Sequence, residues 1–85
     1  MNIVISRHII LDKIPLLKKR GFTITQRQVI DVIKNPDHID KQSDAPKVIA
    51  SKAFDDAHIL RVVYKVEDDI IKAITTYLAE KGRYY

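Results

Sequence analysis

Apolar and polar positions change their spacing twice along the chain. Residues 2–5 carry the β-prone run Ile3-Val4-Ile5, which predicts a first strand. From Ser6 onward, apolar residues fall at Ile10, Ile14 and Leu17, the spacing of one helix face that Ser6 can cap. Pro15 interrupts that pattern, because proline removes a helical hydrogen bond and clashes with the carbonyl four residues earlier. Either the helix kinks there or it starts at Asp12 with Pro15 in its first turn. A kinked helix over residues 7–19 is the favoured reading, with Gly21 as its C-terminal cap. Thr25-Gln26-Arg27-Gln28 then reads as a capping box, and Ile24 can staple onto Val29. Gln26, Val29, Ile30 and Ile33 share one face of this second helix, and Asn35-Pro36 ends it.

The remainder alternates with the period of strands. Residues 39–42 predict a short strand, and residues 47–54, 58–66 and 70–78 predict three longer ones. The turns between them are Ser43-Asp44-Ala45-Pro46, Asp55-Asp56-Ala57 and Glu67-Asp68-Asp69. Consecutive strands with short turns predict an antiparallel meander. The expected fold class is therefore α+β, a single domain over residues 1–85 in the order β-α-α-β-β-β-β. Two helices should pack on one face of a mainly antiparallel sheet. In the strand over 58–66, Leu60, Val62, Tyr64 and Val66 form the more apolar set and should meet the helices. Arg61 and Lys65 then fall on the open face. The neighbouring strands leave both parities open. If Lys52 and Lys72 join Arg61 and Lys65, that face is basic; otherwise the charges keep a solvated face soluble.

Composition narrows the class. Of 85 residues, 46% are hydrophobic and 31% are charged, which suits a globular domain and excludes a disordered tail. The absence of Cys excludes disulfides, thiol chemistry and Cys-ligated zinc, and two Gly are too few for a glycine-rich phosphate loop. No apolar run reaches the roughly 18 residues of a membrane span, and Met1-Asn2-Ile3 lacks a signal-peptide pattern. A cytoplasmic protein with no membrane partner is expected.

The net charge of +4 is concentrated in residues 1–35, with Lys18-Lys19-Arg20 as its densest run. Basic chains approach polyanions, but three cations at a helix C-terminus also serve the helix dipole, which is the preferred account of that run. Of the three histidines, His8 reads as a structural residue at the helix start and His38 as a loop residue. His58 reads as a partly buried, hydrogen-bonded residue that can still reach a site at the sheet edge. Their separations match no metal motif, and the acidic pairs in the turns lack calcium-loop spacing.

One segment carries a resemblance. Leu60-Arg61-Val62-Val63-Tyr64-Lys65-Val66-Glu67-Asp68-Asp69 resembles the strand and turn of the RelE/ParE/HigB-like toxins of prokaryotic toxin–antitoxin pairs. Arg83-Tyr84-Tyr85 is similar to the arginine-then-tyrosine ending of RelE- and BrnT-like members. Ser6-Arg7-His8, Arg20-Gly21-Phe22-Thr23-Ile24 and Val29 through Asn35-Pro36 resemble a small prokaryotic domain family of unknown function related to those toxins. The resemblance implies a RelE-like fold and an endoribonuclease that cuts mRNA, often on the ribosome, without metal or cofactor. A cognate antitoxin would neutralise it.

Carried over to this chain, Arg61 would clamp the phosphate and Arg83 would hold the transition-state charge. Tyr84 or Tyr85 would relay a proton or stack on a base. Lys52, Lys65 and Lys72 would contact RNA. Arg83 here is followed at once by tyrosine, where relatives tend to space the two. A non-catalytic interaction module of the same fold, and a basic domain that binds nucleic acid without cutting it, are the alternative expectations.

Overall fold

The computed structural model describes residues 2–82. Strand β1 (Asn2–Ile5) leads through a π-helical turn (His8–Lys13) into α1 (Ile14–Lys19), and α2 (Gln26–Lys34) follows. Four strands complete the chain: β2 (His38–Asp40), β3 (Val48–Ala53), β4 (His58–Glu67) and β5 (Ile70–Glu80). They form one sheet in the order β1-β5-β4-β3-β2. Strands β2 to β5 make the expected antiparallel meander. Strand β1 adds in parallel along only the start of β5, from Asn2 opposite Ile70 to Ile5 opposite Ala73. The architecture is α+β, as the periodicity predicts.

Pro15 is accommodated by a change of helix type. The Ile14 N–H bonds to the carbonyl of Ile9, five residues back, and α1 then begins with Pro15 in its first turn, where no N–H is needed. At the other end, Gly21 adopts φ +92°, a conformation that a side chain would strain. This lets the Gly21 and Phe22 N–H groups cap the carbonyls of Lys18 (3.0 Å) and Leu17 (2.9 Å).

The capping box of α2 is formed in full. The Gln28 N–H donates to Thr25 Oγ1 at 3.1 Å, and the Thr25 N–H donates to Gln28 Oε1 at 2.8 Å. Thr25→Ala is expected to remove about 1 kcal/mol of stability. The check is a lower urea midpoint at unchanged slope; an unmoved midpoint would count against the cap.

Ile9, Leu17, Ile24, Val29, Val32 and Ile33 pack against Ala50, Leu60, Val62, Tyr64 and Ala73 of the sheet. Leu60, Val62 and Tyr64 thus face the helices as expected. Val66 does not join them and is half exposed. On α2 the buried set is Val29, Val32 and Ile33, and Gln26 faces solvent, so the face is turned from the one the spacing suggested.

Asp68 and Asp69 take φ of 51° and 63°, making the two-residue turn that joins β4 to β5. Between Val63, opposite Thr75, and Tyr64, opposite Ala73, β5 carries Ile74 as an extra bulged residue. The bulge lies where β1 ends. Ser6 closes that junction, its N–H on the Ala73 carbonyl at 3.0 Å and its hydroxyl on the Ile74 carbonyl at 2.8 Å.

Candidate functional site

The residues singled out by sequence divide between the two sheet faces. Arg61 lies on the face away from the helices, opposite Ser51 on one side and Tyr77 on the other. It is not an open cation. It is 4% exposed, its Nε donates to Ser51 Oγ at 3.1 Å, and its guanidinium lies 5.5 Å from the centre of the Tyr77 ring.

Lys65 and Lys72 share that face as cross-strand partners, and both approach Glu67 Oε1, at 2.7 and 3.7 Å. The two ammonium groups, Lys65 first, hold the Glu67 carboxyl below its ordinary range. Lys52 is a correction to the basic-face reading. It stands opposite Leu60, on the helix side, and its Nζ pairs with Asp31 Oδ2 of α2 at 2.8 Å. Strand alternation puts it there, because its register partner is a core residue. Arg83, Tyr84 and Tyr85 lie outside the described residues.

Asp40 also stands on the Arg61 face, opposite Ile49. Its carboxyl is drawn down to about 2 by the Ser43 hydroxyl, the Ser43 and Gln42 N–H groups and the charge of Arg61. Asp31, Asp55 and Glu67 are lowered too. A carboxyl whose folded value is depressed stabilises the fold above the unfolded value, and that contribution is lost as pH falls through the folded value. The melting temperature is therefore expected to hold from about pH 7 to about pH 5 and to fall between about pH 4 and about pH 2. Asp40→Asn should flatten part of that fall in a series of thermal melts. An identical fall in the variant would refute Asp40's share.

A different set of side chains converges near the far end of β5. Between α1 and that end lies a cleft of about 310 Å³ lined by Lys13, Leu16, Leu17, Arg20, Phe22, His58 and residues 77–80. His58 enters from the first position of β4, on the same side as Leu60. Its Nδ1 lies 2.9 Å from Asp55 Oδ1, and that oxygen also accepts the N–H groups of Ala57 at 2.8 Å and of His58 at 2.7 Å.

The Ala57 N–H first, then the His58 contacts, hold the Asp55 carboxyl below its usual range against the opposing effect of burial. A carboxylate only accepts, so Nδ1 is the donor in this contact. The Phe22 ring meets the imidazole edge-on at 4.9 Å. Lys81 flanks the turn, with Nζ 3.4 Å from the Asp55 carbonyl.

The cleft thus combines an oriented imidazole with the cations Lys13 and Arg20. Sequence reading placed His58 near a sheet edge but assigned Arg20 to the helix dipole and left Lys13 unremarked. Their meeting depends on where α1 lies relative to the sheet, which no local pattern encodes. The chain matches no family model, and no curated protein or solved structure is similar to it at a level that assigns a family. Among the described residues no helix is long and apolar enough to cross a membrane, and no group of three or more His, Asp or Glu is placed to hold a metal ion.

Proposed function

We propose that this chain is a metal-independent endoribonuclease, the toxin of a toxin–antitoxin pair acting on mRNA, free or on the ribosome, with its reaction centre in the β5–α1 cleft. The observation that carries the reading is the Asp55-oriented His58 in a cleft walled by Lys13 and Arg20. RNA supplies its own nucleophile. His58 Nε2 takes the proton of a 2′-hydroxyl, and that oxygen attacks the adjacent phosphorus. The P–O5′ bond breaks, leaving a 2′,3′-cyclic phosphate and a 5′-hydroxyl. The departing oxygen takes its proton from water admitted by the open cleft. Arg20 and Lys13 stabilise the charge that builds on the non-bridging oxygens.

Arg61 holds no substrate in this reading; its guanidinium lies over the ring of Tyr77 on the sheet face away from the helices. The element order, with two helices on one sheet face, is the order that the toxin resemblance implies.

The test is incubation of the purified protein with single-stranded RNA, and separately with translating ribosomes, followed by end-group analysis. Cyclic-phosphate ends are expected, at a rate unchanged by a metal chelator. Intact RNA in both settings, or cleavage that the chelator stops, would reject the proposal. A second reading, an interaction module without cleavage, is favoured by the sequestered state of Arg61 and by the pairing of Lys65 and Lys72 with Glu67.

A further inference from the structure

One charged group on the cleft wall has no part in the cleavage step. Glu80, the last residue of β5, lines the cleft with Lys13, Arg20 and His58. It is also the register partner of His58 across the β4–β5 ladder. Residues directly opposite in an antiparallel pair point to the same face, with Cβ atoms about 4.5–5.5 Å apart. The carboxylate and the imidazole therefore stand side by side on the sheet wall. Lys13, in the π-helical turn, and Arg20, at the end of α1, belong to the helical wall. An acid in a cleft that binds phosphate costs affinity, because it repels the anion. Ion pairing does not account for it. Glu80 is exposed, and among the described residues it makes no salt bridge to Lys13, Arg20 or another cation. Asp31, Asp55 and Glu67 each hold such a partner.

Cleavage leaves work for such a group. It ends with a 2′,3′-cyclic phosphate beside His58, which still holds the proton taken from the 2′-hydroxyl. We propose that the cleft has a second activity, hydrolysis of the 2′,3′-cyclic phosphate to a 3′-phosphate, with Glu80 as general base. Glu80 takes a proton from water, and the water oxygen attacks phosphorus and forms a new P–O bond. The P–O2′ bond breaks, and O2′ takes back the proton from His58 Nε2, which restores the imidazole. Lys13 and Arg20 stabilise the charge on the non-bridging oxygens, as in the first step. Glu80 then gives its proton to the hydroxide formed when the first departing oxygen was protonated by water. Both side chains return to their starting state. The roles of His58, Lys13 and Arg20 rest on the nuclease reading above, and that of Glu80 is additional to it.

The experiment gives the intact protein the second step's own substrate, a short oligoribonucleotide ending in a 2′,3′-cyclic phosphate, in heavy-oxygen water. Mass spectrometry is expected to show conversion to a 3′-phosphate that has gained one heavy oxygen atom. Glu80→Gln should slow the conversion by about 10²- to 10⁴-fold, and His58→Ala by a similar factor. Glu67→Gln, at the opposite end of β4, should convert at the parent rate. Circular dichroism checks the fold of each variant. A carboxylate that only tuned the charge of the cleft would act the other way, since its removal would favour the anion and raise the rate. With RNA as substrate, ends made by Glu80→Gln should stay cyclic when those made by the parent have become 3′-phosphates. Conversion by Glu80→Gln at or above the parent rate would overturn the proposal. A parent that cleaves RNA but leaves the cyclic oligonucleotide unchanged would overturn the second activity alone. Conversion that depends on Glu80, with RNA left intact, would uphold the second activity and reject the nuclease reading alone.

Discussion

Arg61→Ala is expected to lower the unfolding free energy by about 3 kcal/mol, a large share of the stability of a domain this size. Three losses add. The Ser51 hydroxyl, fully buried, loses the donor that satisfies it. The Tyr77 ring loses the guanidinium over its face. The space left lies between Ile59 and Val63, the buried residues two positions either side on β4. Asp40 also loses a charge that helps hold it ionised. At about 4–8 °C per kcal/mol for a chain of this length, the melting temperature should fall by about 12–24 °C. Arg61→Lys keeps the charge but not the planar group that lies on the ring, and should fall between the two. A melting temperature within about 2 °C of the parent would show that Arg61 is not a structural residue. The expectation changes how an RNA assay is read: lost cleavage in Arg61→Ala reports chemistry only if the variant is shown to be folded.

His58→Ala is expected to slow RNA cleavage by about 10²- to 10⁴-fold, the usual contribution of a positioned general base. His58 lines the cleft, and its ring contacts Asp55 and Phe22. The change should therefore leave the sheet intact. Asp55→Asn tests the orientation. An amide can offer Nδ1 an N–H in place of a lone pair, so the imidazole is free to take the wrong tautomer, and cleavage should fall while RNA binding is retained. Cleavage by His58→Ala at the parent rate would move the reaction centre elsewhere, or remove it.

Part of this was legible from residue order. The capping box at Thr25, the Gly21 cap, the turn at Asp68-Asp69 and the apolar parity of Leu60, Val62 and Tyr64 are local patterns, set by hydrogen bonds or side-chain alternation within a few residues. Other features were not. Lys52 and Arg61 lie on strands of similar composition, yet one meets a helix carboxylate and the other is sealed between Ser51 and Tyr77. Their faces were decided by the register of β3 on β4, in which Lys52 stands opposite Leu60 and Ser51 opposite Arg61. The exposed cation that a motif suggests at Arg61 is a buried one in the fold. The cation that matters to the cleft, Arg20, had a sufficient local explanation at its helix end.

By itself, then, the order of residues determined the succession of elements, their caps and turns, and the apolar sides of α1 and β4. Those follow from backbone sterics and from burial at periods of 3.6 and 2. Tertiary structure alone decided that β1 pairs in parallel with the first four residues of β5 and no further. It also decided that His58, Lys13 and Arg20 line one cleft. The physical reason is that such a meeting is set by strand register and helix placement, which depend on contacts between segments tens of residues apart.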